Sequence, residues 1–76
     1  MDTHDITNKN QIRDLLVRGL KPGKTVRLCM FDTFITITLG LDAEFEDMYY
    51  VSFKTYYDFN DMIADLEQMF DALSQA

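Results

Sequence analysis

A two-layer α+β sandwich, ordered helix, three-stranded antiparallel meander, helix, is the fold class this 76-residue sequence predicts. Apolar residues recur at helical spacing in one stretch near each end, while the runs between them alternate with period two. Short turn-forming segments separate these runs. With 47% hydrophobic residues, six Phe and four Tyr, the chain has material for a core rather than for disorder. Its length predicts one domain over residues 1–76, with 1–6 a flexible polar lead-in.

The first helix is read from "NKNQIRDLLVRGL", where Ile12, Leu15, Leu16 and Leu20 share one side. Thr7 or Asn8 can cap it, and Asn8 with Gln11 has the outline of a capping box. Gly19 is placed for a left-handed stop, and Pro22-Gly23 follow in the order a type II turn prefers.

"TVRLCMF" then puts Val26, Leu28 and Met30 on one face of a strand, and "FITITLGL" does the same with Ile35, Ile37, Leu39 and Leu41. Asp32-Thr33 between them predicts a tight hairpin. The acidic "DAEFED" is a connection. "MYYVSFKTYY" is the third strand, with Tyr49, Val51 and Phe53 on one face and Tyr50, Ser52, Lys54 and Tyr56 on the other. In the last segment Phe59, Met62, Ile63, Leu66, Met69, Phe70 and Leu73 fall within an arc of about 120° at about 100° per residue. Asp58 is a suitable N-cap, and Asp61 suits the positive end of the helix dipole. Both helices should cover the sheet face bearing Ile, Leu and Val.

Charge separates along the chain. Residues 1–27 hold six bases against three acids, and residues 28–76 hold ten acids against Lys54 alone, for a net charge of −6. Even complete internal pairing leaves a negative surface, which repels nucleic acid and anionic membranes and attracts basic proteins. On the final helix Asp58, Asp61 and Asp65 line one border of the apolar stripe, and Glu67 and Asp71 line the other. Neighbouring pairs repel by about 0.2–0.5 kcal/mol each, a cost a small domain tolerates on a solvated face. The same five carboxylates place one charge every ~4 Å of helix axis, against ~3.4 Å along one strand of B-DNA. That density suits docking on a basic surface in place of nucleic acid, with Glu44, Glu46 and Asp47 adding to the field.

Other constellations fall short of chemistry. "DFNDM" opens like a calcium loop, but Met62 stands at its fifth position and no glycine follows. His4 has no second histidine, and Cys29 has no histidine to activate it. The three glycines are too scattered to form a phosphate loop. No catalytic set, metal site or cofactor is therefore expected. No apolar run approaches the ~18 residues of a membrane span, and a lone cysteine suits a reducing compartment, so the expected location is cytoplasmic.

The outer face of the sheet is the second feature that could bind something. Phe31, Phe34, Tyr50 and Tyr56 alternate outward in this strand assignment, beside Arg27, Cys29, Thr36, Thr38 and Lys54. Two basic residues are too few to hold phosphates against the net charge, so direct nucleic-acid binding is not expected. Association with another protein copy or subunit through these rings is the alternative.

In its ensemble of traits the chain resembles the small phage- or mobile-element-encoded inhibitors of bacterial defence, anti-CRISPR proteins among them. Those traits are its size, acidity, antiparallel sheet with flanking helices and the acid-only helix "DFNDMIADLEQMFDAL". The resemblance implies stoichiometric binding to a nucleic-acid-handling enzyme through an acidic surface, and no residue is carried over from it. The expected function is a non-enzymatic inhibitor or protein-binding module that docks its acidic helix face on a basic partner. The alternative is a small structural or assembly subunit using the aromatic sheet face.

Overall fold

Five strands, not three, build the sheet. The computed structural model describes residues 2–41, 44 and 46–75. Its elements run β1 (Asp2–Ile6), α1 (Asn10–Gly19), β2 (Thr25–Met30), β3 (Thr33–Leu41), β4 (Asp47–Val51), β5 (Lys54–Tyr56) and α2 (Phe59–Ser74). Strands lie in sequence order across the sheet, β1 parallel to β2 and every later pair antiparallel. The class is α+β, and both helices contribute to one core on one sheet face.

The segment expected to be a flexible lead-in is thus an edge strand. Its letters, Asp-Thr-His-Asp-Ile, hide the alternation because only Ile6 is apolar. β1 pairs along its whole length with β2, and Ile6 is buried in the core opposite Met30. Parallel neighbours cannot be joined by a tight turn, so α1 is the crossover that connects them.

At the N-terminus of α1 the cap position falls on Lys9, which makes no side-chain cap bond, and the expected residues contribute from just before and after it. The Asn8 side chain accepts from the Asn10 N–H at 2.8 Å, and Gln11 Oε1 accepts from the N–H groups of Thr7 and Asn8 at 2.8 and 3.2 Å. This reach-back is the capping-box logic. At the other end the left-handed stop is absent. Helix α1 closes into an extended Leu20, and Gly23 takes the positive φ of 80° inside a Lys21–Lys24 turn closed at 3.0 Å. Proline then glycine at the central positions is what a type II turn requires.

One turn departs from its sequence-based position. Met30 pairs with Thr33, so the hairpin turns at Phe31-Asp32 rather than Asp32-Thr33. Phe31 adopts φ of 58°, which a bulky side chain disfavours. Its ring packs 5.2 Å from that of Phe70 on α2, a contact that offsets the strain.

The third expected strand is in fact two, reversed at Ser52-Phe53. No glycine, asparagine or proline marks that turn. The Ser52 N–H donates to the Thr36 carbonyl at 3.0 Å, and its hydroxyl accepts from the Thr36 N–H at 2.7 Å. The side chain thereby takes over the ladder position of its own carbonyl, and the backbone is free to turn back. Tyr56 consequently pairs with Tyr49 and shares its buried face. The expected "DAEFED" connection does join β3 to β4, although Asp42, Ala43 and Phe45 lie outside the described residues.

The core is apolar apart from two tyrosines. Ile12 and Leu16 of α1 and Met62, Ile63, Leu66 and Phe70 of α2 pack on Val26, Leu28, Met30, Ile35, Ile37, Tyr49, Val51 and Tyr56. Each large side chain so buried contributes about 1.5–3 kcal/mol. Among the described residues no charged side chain is buried, and no helix is long and apolar enough to cross a membrane.

Candidate partner-binding surfaces

Helix α2 divides the expected acidic face in two. Residues 65 and 67 lie about 200° apart around the axis, so the borders look in opposite directions over different neighbours. One meets β5 and the other meets α1.

The β5 border holds Asp58, Asp61 and Asp65. Asp58 caps the helix as expected, its Oδ1 accepting from the Asp61 N–H at 3.0 Å. The Asp61 side chain is exposed. Asp65 is half-buried and accepts from the Tyr56 hydroxyl at 2.7 Å. Burial, reinforced by this acceptor, pushes the Tyr56 phenol up to about 12. An open cleft of about 410 Å³ runs between β5 and α2, with Tyr57 on its wall. Tyr57 is 63% exposed, and nothing in its spacing marked it as part of a surface. The one base here, Lys54, places its ammonium 4.9 Å from the Tyr56 ring centroid. Neither Asp58 nor Asp61 forms an ion pair with a described residue.

The α1 border behaves differently. Lys9 Nζ lies 3.0 Å from Asp71 Oδ2, and Glu67 is half-buried on the same side. Arg13 donates to Asn60 Oδ1 at 3.0 Å and lies 5.9 Å from the centre of the Phe59 ring. The basic first third of the chain therefore attends this border and leaves the other open.

Of the three acids expected to extend the field, Asp47 opens β4 and is exposed. Burial first, then the carboxylates of Asp47 and Asp58, raises the Tyr49 phenol above its ordinary value. Glu44 and Glu46 are exposed in the connection and make further interactions of their own.

The aromatic face keeps two of its four expected members. Phe34 and Tyr50 stand exposed on the sheet surface opposite the helices. The Arg27 guanidinium lies 5.0 Å from the Phe34 ring centroid, and Arg27 Nε donates to Thr3 Oγ1 at 3.0 Å. Tyr50 lies across Gly40, where a Cβ would stand 2.8 Å from the ring. Tyr56 is lost from this face because the Ser52-Phe53 turn inverts the alternation, and Phe31 because its turn carries the ring to α2. Cys29 is on the outer face. Desolvation and then the Asp5 carboxylate raise its thiol, the reverse of what a nucleophile needs. His4, expected in solvated chain, is half-buried on β1 in a cleft with Leu15 and Arg18 of α1.

Comparison with protein-family models, with curated proteins and with solved structures yields no match.

Proposed function

We propose that this protein is a non-enzymatic binding module or inhibitor that docks an acidic border of α2 on a basic partner. A nucleic-acid-handling enzyme, its groove occupied in place of nucleic acid as by anti-CRISPR-like inhibitors, is the partner class that fits the charge density. One observation carries the reading. Asp58, Asp61 and Asp65 line an open cleft without an ion-pairing base among the described residues, in a chain of net charge −6. Glu67 and Asp71, turned toward α1, move out of the docking surface and into support of the fold.

The test is affinity capture of partners at low and high salt with wild type and with Asp61→Lys/Asp65→Lys. Capture should weaken at least about tenfold in the variant and lose its salt dependence. Unchanged capture at low salt overturns the reading. The second reading, assembly through the sheet, draws on the exposed Phe34 and Tyr50. It expects self-association that Phe34→Ser with Tyr50→Ser abolishes, measured by sedimentation.

A further inference from the structure

We propose that the free edge of β5 receives an extended basic segment of the partner as an added strand, its alternate Lys or Arg side chains reaching Asp61 and Asp65. This rests on the acidic-border reading and specifies the form of what binds there.

β5 ends the sheet, and its outward-facing groups follow from the ladder. The Ser52 N–H bonds β3 at Thr36. Alternation along β4 then directs the backbone groups of Val51 to β5 and those of Tyr50 back to β3. Val51 is paired with Lys54 across the two-residue turn, and Tyr50 with Thr55. The N–H and C=O of Thr55 therefore face away from β4, open to another strand. An unpaired edge of this kind is a template for strand addition.

A strand laid on β5 sends every second side chain to the helix-bearing side of the sheet. There the cleft between β5 and α2 presents Asp58, Asp61 and Asp65 against a single base, Lys54. Four residues of helix advance about 6 Å, and two residues of strand about 6.6 Å. Bases at alternate positions of a strand thus have the spacing of the two carboxylates, whereas bases in adjacent pairs send half their charge to the opposite face.

Charge selects the occupant. A second copy offering its own β5 edge would set two net negative borders, each with three carboxylates to one Lys54, against each other. The other free edge, β1, has Arg18 and Arg27 beside it on neighbouring elements, but its own strand contains Asp2 and Asp5 and no Lys or Arg, so it has no alternating bases to offer Asp61 and Asp65. The complement is a basic, extended segment from a different protein.

The probe is an end-capped Lys-Thr repeat octapeptide, titrated into the whole chain at low salt by calorimetry and followed by amide exchange. Two controls have the same composition, one with its lysines in adjacent pairs and one N-methylated along an edge. The repeat should bind at least about tenfold more tightly than either control, slow exchange at Thr55, and lose about tenfold in Asp61→Asn/Asp65→Asn. Thr55→Pro, which removes an outward donor that an edge strand can spare, should abolish the preference over the N-methylated peptide. Should that variant misfold, the N-methylated peptide alone still decides the point. Equal binding of all three peptides without slowed exchange at Thr55 overturns strand addition and leaves acidic docking standing. Failure of every basic peptide, a helical one included, removes both. Edge-mediated self-association in place of peptide binding makes a second copy the occupant and overturns the proposal.

Discussion

The two borders of α2 carry the same kind of side chain and meet opposite fates. On the α1 border Asp71 finds Lys9 at 3.0 Å. On the β5 border Asp65 finds a neutral phenol at 2.7 Å, while Asp58 and Asp61 find no base among the described residues. Nothing in the helix itself distinguishes them, since each border is a row of carboxylates at three- or four-residue spacing. What differs is the element packed alongside. The basic residues of the first third enter through α1, which occupies one side only. A charged helix face is paired internally or left open according to its neighbour.

The contrast can be broken from either side. The largest effect is expected at Tyr56→Phe, which removes a hydrogen bond to an ionised acceptor and should cost about 1.5 kcal/mol in denaturant melts. Its pH dependence is also fixed in sign. Folding raises this phenol from its ordinary 10.0 to about 12. The unfolded chain therefore ionises first as pH rises, and stability present below pH 10 is lost through pH 12. Tyr56→Phe should flatten that loss, leaving the smaller slope due to the raised Tyr49. An unchanged alkaline profile would mean that the Asp65 contact is not held in solution.

Asp58 comes next. Asp58→Ala should cost about 1 kcal/mol through loss of the cap, whereas Asp58→Asn keeps an acceptor for the Asp61 N–H and removes the charge. Thermal melts of the pair then separate capping from electrostatics. Equal destabilisation by both would assign the effect to charge.

The smallest effect belongs to the paired border. Lys9→Ala should cost about 0.5 kcal/mol, because a half-exposed ion pair is screened and entropically costly to hold. The difference from wild type should vanish near 1 M salt, where the Tyr56→Phe cost persists. Measuring both at two salt concentrations tells whether the borders differ as the structure indicates.

Much of this architecture was legible in the letters. Helix α2 announced itself by seven apolar residues in one arc and a capping Asp58, because burial against a sheet demands that periodicity. β2 and β3 were legible for the same reason at period two. β1 was not, since an edge strand paired through its backbone needs few apolar side chains. The β4–β5 reversal was silent as well, because Ser52 builds it with a hydrogen bond to Thr36, sixteen residues away in sequence. That one turn moved Tyr56 from the expected association face into the core and set it against Asp65. At the candidate site the carboxylates could be named in advance, but their division into paired and open borders could not.

By itself, then, the sequence settled the class of fold, the apolar stripe of α2 and a surplus of negative charge that no internal pairing can remove, since these depend on composition and local spacing. The tertiary structure alone decided which carboxylates remain open, which aromatic rings face outward and where the sheet ends. Each of those depends on contacts between residues far apart in the chain, and neither composition nor periodicity carries that information.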